Sequence, residues 1–314
     1  HRRDARRDRP PSPEEAMTVS DGAAAPELSS WTGRLMSRRR SSNRPARLTF
    51  GIVLATAMVA TTVAALTIFD VTPVPTDPAE RLQPVGTPGA MLGTDQLGRN
   101  LFDWTIAGFA WSGTVAATSA TIVTFIGLCI GVIAGSARGV VQAFAARAID
   151  TMLSLPNLVV AVAIMAAVGR GFWQLSVTLG LVSWPVLARV VYAETRGLMS
   201  RDYVNAARLL GVSRVRILFT HVIPGLRNTL MVMWAFMFAD LLVAESALSF
   251  LGIGAPLGEP SLGNILADGR QYLLVAPRMV LVPATAIVLA VTAANMIGDG
   301  MAERSRRQTT RVER

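Results

Sequence analysis

Residues 202–224 read DYVNAARLLGVSRVRILFTHVIP. Asp202 is placed to cap a short helix, Tyr203 to Leu210 supply its turns, and Gly211 stands where a helix ends on a left-handed residue. Ser213 is placed to cap a second helix that ends at Pro224. Ala206, Ala207 and Gly211 are small, so another protein surface can approach this backbone closely. The stretch is studded with arginine and lies between long apolar segments. A connector that only joined two membrane spans would need no pair of capped helices, so the sequence predicts a docking element for a soluble partner.

Working outward, apolar residues make up 51% of the chain and charged ones 16%. Six apolar runs approach or exceed the length that crosses a bilayer, at about 48–69, 104–136, 149–168, 172–191, 230–250 and 280–297. The fold class is therefore all-α, a polytopic membrane protein with six transmembrane helices. All 30 basic residues are arginine. Without lysine the chain holds no Walker A motif, so ATP chemistry would belong to a partner. The two histidines, His1 and His221, and the single cysteine, Cys129, offer no metal-ligand spacing and no intrachain disulfide. Cys129 lies in an apolar run and is expected to be a small buried hydrophobe. No nucleophile elbow or other catalytic constellation occurs.

Residues 1–46 are rich in Arg, Pro, Ser and acids and are expected to be disordered, with Arg38–Arg40, Arg44 and Arg47 forming a membrane-surface patch. No stacking aromatics accompany these arginines, which argues against nucleic acid. After the first run, 70–98 is polar and proline-rich and ends in LGTDQLGRN, residues 92–100, where Thr94 or Asp95 is placed to cap the next span. Gly127, Gly131 and Gly135 recur every four residues and predict a face for close helix packing. Pro185 is placed to kink the fourth span. In the fifth, Asp240 lies about eleven residues in, roughly 16 Å along the helix. Glu245 and Ser249 share a face one turn further on. Acids inside a span are costly and face a bundle interior or an aqueous path. Asp240, Glu245 and Ser249 are thus candidate path residues, and pairing of Asp240 with a neighbouring helix or subunit is the alternative.

The arginines orient the chain. Eleven precede the first run, two fall in 136–148, seven in 189–228 and five in the tail; the opposite side holds Arg81, Arg99, Arg170, Arg270 and Arg278. The positive-inside rule then places both termini and 202–224 in the cytoplasm. The net charge of +9 reflects membrane orientation.

Several motifs carry a resemblance. Asn205-Ala206-Ala207, Gly211 and Ile223-Pro224 resemble the EAA loop of ABC importer permeases, with Asn205 where the pattern has Glu, His221 for Ile and Ile223 for Leu. LGTDQLGRN resembles the LGTDxLGRD signature of C-type dipeptide/oligopeptide/nickel permeases, with Asn100 for the final Asp. Asp150 with Pro156, ESALSFLG at 245–252, Pro260-Ser261-Leu262-Gly263 and NMIGDG at 295–300 resemble further segments of that family, in order. The resemblance implies a type I ABC importer permease fold over 47–303, between the N-terminal region 1–46 and a cytoplasmic tail, 304–314. It implies a coupling helix in 202–224 that seats in a cleft of the ATPase, through Asp202, Tyr203, Asn205, Ala206, Ala207, Arg208, Gly211 and Pro224. It implies a binding-protein-side segment with Gly93, Thr94, Asp95, Gly98 and Arg99. The implied partners are a homologous permease subunit, ATPase subunits or a fused ATPase that bind ATP and magnesium, and an extracytoplasmic binding protein. The implied location is the bacterial plasma membrane, and the chain itself is no enzyme and carries no cofactor. The implied cargo is peptide, with haem and nickel chelates as alternatives within the class. An ion-coupled secondary transporter, expected to show a protonatable pair and an inverted repeat, and a membrane scaffold stay open on the residues alone.

Overall fold

The computed structural model describes residues 76–312 and, within the first apolar run, Thr49, 51–57, Ala60 and Val63. The segment 1–46 and most of 48–69 lie outside the described residues; 51–57 are helical. Helices α1 (Leu101–Ser136), α2 (Val140–Leu153), α3 (Asn157–Val168), α4 (Phe172–Met199), α5 (Asp202–Leu209), α6 (Arg214–Ile217), α7 (Ile223–Phe250), α8 (Leu262–Gly269) and α9 (Arg278–Val312) follow, with no β-strand among the described residues. The fold class is all-α, as the composition required.

Four of these are long and apolar enough to cross a membrane: α1, α4, the continuous rod Arg214–Phe250, and α9. The expected span 149–168 is instead a bent pair, α2 and α3, meeting at 84°. The break falls at Ser154–Pro156, where Pro156 has no N–H to give an incoming helix and restrains Leu155. The helix of the last span also runs on through the expected tail to Val312.

The glycine face of α1 sets the architecture. A methyl group added at Gly127 would lie 3.0 Å from the Leu187 side chain, at Gly131 2.6 Å from Val191 Cβ, and at Gly135 2.6 Å from Thr195 Cβ. Ile122 lies against Gly180, and the Ser119 hydroxyl donates to the Ser176 carbonyl at 3.1 Å. Residue numbers rise together on both helices, so α1 and α4 run parallel. Between Ser136 and Phe172 the chain must therefore return along the seam, about 35 Å at 1.5 Å per residue. The bent pair is that return, and counts as one crossing. By contrast, Trp234 Nε1 donates to Thr121 Oγ1 at 3.4 Å, and Glu245 bonds Ser112, so α7 is antiparallel to α1.

Hydroxyls within α1 are satisfied locally. Thr105, Thr114, Ser119, Thr121 and Thr124 each donate to the carbonyl four residues back, at 2.7–2.9 Å. This is how a Ser/Thr-rich helix tolerates hydrocarbon. Cys129 is exposed on the perimeter rather than buried, because the glycines on the opposite side of α1 take the contact with α4. Asp150 on α2 bonds Arg189 on α4 at 3.0 Å, but both side chains are about half exposed, so the pair adds little.

Gly131→Leu is expected to cost about 1–3 kcal/mol by overpacking the seam, read as a lower melting temperature in detergent. Gly113→Leu, where an added methyl meets nothing within 4 Å, is expected to leave it within error.

Candidate coupling surface and buried polar sites

Helix α5 begins one residue earlier than the sequence suggests. Arg201 occupies the N-cap position without a side-chain cap bond, and Asp202 is the first helical residue. There its charge faces the positive end of the helix. The C-terminus is as expected. Gly211 has φ +80°, its N–H reaches the Arg208 carbonyl at 3.0 Å, and the Val212 N–H reaches the Ala207 carbonyl at 3.1 Å. These two bonds are a Schellman termination. Val204 is fully buried in one cluster with Met199, Ile217, Val222 and Leu226, so α5 is pinned to the bundle.

The second helix does not end at Pro224. The Ser213 hydroxyl caps α6 by accepting the Arg216 N–H at 3.4 Å. A π turn, Leu218–Val222, then leads without interruption into α7, with Pro224 in its first turn. The Ile223 N–H bonds the Leu218 carbonyl, five residues back. Pro224 has no N–H to offer, and the wider turn next to it absorbs this gap while the rod stays continuous.

The outer side of this module is apolar although it lies in a basic segment. Leu209 is 90% exposed and Leu210 84%, and Tyr203, Val215 and Phe219 are exposed too. The Tyr203 ring lies against His221, centroids 5.9 Å apart. Asn205 accepts from Arg208 Nη1 at 3.5 Å. Ala206 is exposed and Ala207 half-buried. Clustered exposed apolar side chains beside arginines form a patch of the kind that meets a protein or a membrane surface.

The candidate path acids separate. Glu245 and Ser249 have no exposed surface, so in this structure they do not line an open path. Glu245 accepts hydroxyl bonds from Ser249 at 2.7 Å, from Ser246 at 3.2 Å and from Ser112 of α1. Ser112 Oγ also accepts the Leu262 N–H at 3.0 Å, and Ser249 Oγ accepts the Ala255 N–H at 3.0 Å. One carboxylate thus ties α1, α7, the 251–261 connection and α8 together. Gly263 permits this, since an added methyl would lie 2.2 Å from the Ser246 carbonyl. Ser112 was visible in the sequence only as one of many hydroxyls in its span; the fold gives it this role. Asp240, in contrast, is exposed on α7 and makes no hydrogen bond or ion pair within the described residues.

LGTDQLGRN forms a buried cap on the side where α7 ends and α9 begins. The α1 helix is capped by Asn100, which accepts the Phe102 N–H at 3.0 Å, and not by Thr94 or Asp95. Asp95 is occupied elsewhere: it accepts the N–H groups of Leu97 and Arg99 at 2.8 and 2.9 Å and pairs with Arg99 Nε at 2.6 Å. The Arg99 guanidinium stacks 3.9 Å from the Trp104 ring centre and lies 3.7 Å from Asp268 of α8. Burial raises the Asp268 carboxyl above its ordinary range, against a hydrogen bond from Gln96 and the charge of Arg99. Thr94 donates to the Glu80 carbonyl and accepts the Gln83 N–H at 2.8 Å. Gly93 and Gly98 have positive φ and pass so close to Gln83 and Asp77 that a side chain would collide. Arg278, seen in the sequence only as an outside arginine, donates to the Leu82 and Gln83 carbonyls at 2.9 and 2.7 Å. Gly93, Thr94, Asp95, Gly98 and Arg99 are all buried, so they build this cap and leave Met91 and Leu97 on its surface.

Parallel α1 and α4, an antiparallel α7 and a helical module carried outside the bundle define the fold of an ABC importer permease. A chain of the inward-facing MetNI methionine ABC transporter shares it, with a TM-score of 0.53 at 17% identity over 65% of this chain and 97% of that one. Residues 127–311 match the family described as binding-protein-dependent transport system inner membrane component. A putative peptide transport system permease protein of Brucella suis biovar 1 (strain 1330) is 35% identical over 270 residues, 86% of this chain and 88% of its own length. The di/tripeptide transport system permease protein DppC of Pseudomonas aeruginosa (strain UCBPP-PA14) is 35% identical over 211 residues, 67% of this chain and 70% of its own. The chain belongs to the family of inner membrane components of binding-protein-dependent transport systems. It is a multi-pass permease component, not itself the ATPase.

Ser112→Ala is expected to cost about 1–3 kcal/mol, because the buried Leu262 N–H loses its acceptor and Glu245 a donor. Thermal unfolding in detergent checks it. Thr114→Val, at an exposed hydroxyl bonded only within its own helix, is expected to be near neutral.

Proposed function

We propose that this subunit forms half of the path of an ATP-driven importer for peptides, delivered by an extracytoplasmic binding protein. The relatives named for peptide transport support the substrate class. The arginine distribution supports an orientation with both termini, 137–139 and 200–222 in the cytoplasm, and with the 77–100 cap and α8 on the binding-protein side. A homologous permease is the second half of the path. ATP and magnesium are held by ATPase subunits.

The observation that carries the coupling role is the exposed apolar surface of α5 and α6, joined without a break to a transmembrane helix. The ATPase cleft receives Tyr203, Ala206, Leu209 and Leu210. Closure of the ATPases pushes on α5, and Val204 passes the push to the ends of α4 and α7 through Met199, Val222 and Leu226. The rod α6–α7 then carries the movement, because the helix runs from Arg214 to Phe250 without a break. Asp202, Asn205, Arg208 and Gly211 shape the helix and its ends, and Pro224 fixes the start of α7.

Asp240 is exposed on α7 and has no partner among the described residues. An unpaired acid is too costly to leave against lipid. Asp240 lines the path between the two permease subunits and favours peptides with a positive group.

Leu209→Glu together with Leu210→Glu is expected to abolish binding-protein-stimulated ATP turnover in the reconstituted complex, while the melting temperature of the permease stays unchanged. Full turnover in the double variant would remove α5 from the coupling role. Asp240→Asn is expected to reduce uptake of lysine-containing peptides by about tenfold relative to neutral ones, the effect of one charge contact at about 1.4 kcal/mol. Equal uptake of both sets would remove Asp240 from the path.

A further inference from the structure

A cavity of about 400 Å³ lies where the ends of α1 and α4 meet the base of α5. It is within the size range of small-molecule sites, about 300–1,000 Å³. Arg138, Arg196 and Arg208 line it, with Gln142, Ser200 and Asn205, and no carboxylate does. Among the described residues the three guanidinium groups meet no carboxylate. Arg138 makes no hydrogen bond or ion pair among the described residues. Among the described residues Arg196 donates only to the Tyr192 hydroxyl, at 3.1 Å. Arg208 reaches Asn205 and the Met199 sulfur with its terminal nitrogens, and its Nε is buried with no partner.

Three like charges around one polar cavity repel one another, and an anion between them removes that cost. Guanidinium forks suit phosphate oxygens, which accept two parallel bonds from each. The cavity also sits at the membrane surface that the arginine distribution makes cytoplasmic, where basic pockets between spanning helices meet anionic headgroups.

We propose that this cavity is a phosphate-binding site, filled by an anionic phospholipid headgroup or by a soluble phosphate. The bound phosphate would bridge Arg138 and Arg196 of the bundle to Arg208 of the docking helix. It thereby braces α5 at the point where force enters the membrane.

The test uses the assembled complex in nanodiscs of phosphatidylcholine with added phosphatidylglycerol, and native mass spectrometry to count retained phosphatidylglycerol. The wild type is expected to hold a headgroup that Arg138→Gln/Arg196→Gln loses, with affinity falling about fivefold for each arginine removed. Arg138→Lys/Arg196→Lys, which keeps the charge, is expected to restore most of it and controls for misfolding. Inorganic phosphate distinguishes the sources. Competition by phosphate in the wild type alone supports the site with a soluble occupant; no competition supports it with lipid. Equal lipid retention in all three proteins, with no phosphate effect, overturns the proposal. Loss of the ATPase subunits from the glutamine variant with lipid retention unchanged also overturns it, because the pocket is then a protein contact.

Discussion

Helices inside a bilayer gain nothing from hiding apolar surface from one another, so their association rests on close fit. Here the fit is the approach of Gly127, Gly131 and Gly135 to Leu187, Val191 and Thr195. A side chain at Gly131 or Gly135 would collide with the facing helix, and one at Gly127 would force Leu187 to shift. Because the contact is parallel, it dictates more than a distance. It obliges the chain between the two helices to turn back across the membrane, and Pro156 supplies the elbow in that return. The order and direction of the remaining helices follow from this seam.

Polar groups then fix what the seam leaves free. Glu245 is tolerated inside a span because three hydroxyls point at it, from its own helix and from α1. Ser249 and Ser112 also accept the backbone N–H groups of Ala255 and Leu262, so a single acid also closes the connection beyond α7. At the same end, Asp95, Arg99 and Arg278 spend their charges on backbone and on one another. That region is a buried polar cap over the bundle, with Met91 and Leu97 on its surface. The opposite end differs: among the described residues Arg138, Arg196 and Arg208 meet no carboxylate, and Leu209 and Leu210 stay exposed. The asymmetry between a sealed end and an open-valence end accords with one end facing a mobile engine.

Much of this was legible in the sequence, because the relevant signals are local. Apolar runs, the glycine repeat and the Gly211 terminus each depend on neighbours within two turns. What escaped depends on distant groups. Asp202 reads as a cap until the extended Arg201 is seen to hold that place. Pro224 reads as a stop, since nothing in its neighbourhood announces a π turn. Asp95 reads as a helix cap, but Arg99 claims its carboxylate and leaves the task to Asn100. Glu245 reads as a path residue because its acid is visible and the serine of α1 that shields it lies far back in the chain. Cys129 reads as core because a run of apolar residues does not say which side of a helix meets protein.

The π turn at Leu218–Val222 has a further meaning for the molecule's timing. A π turn holds one residue more than the α turn it replaces, so the chain before it is rotated by about 100° relative to an uninterrupted helix. The azimuth at which α5 and α6 stand around the axis of α7 is therefore set by the count of residues in one turn. Removing a single residue there would leave the exposed surface of α5 and α6 chemically intact and turn the proposed docking face by a quarter-turn or more. Under the proposed coupling role the subunit would resemble a camshaft keyed by one tooth, its angular phase setting whether engine and gate move together.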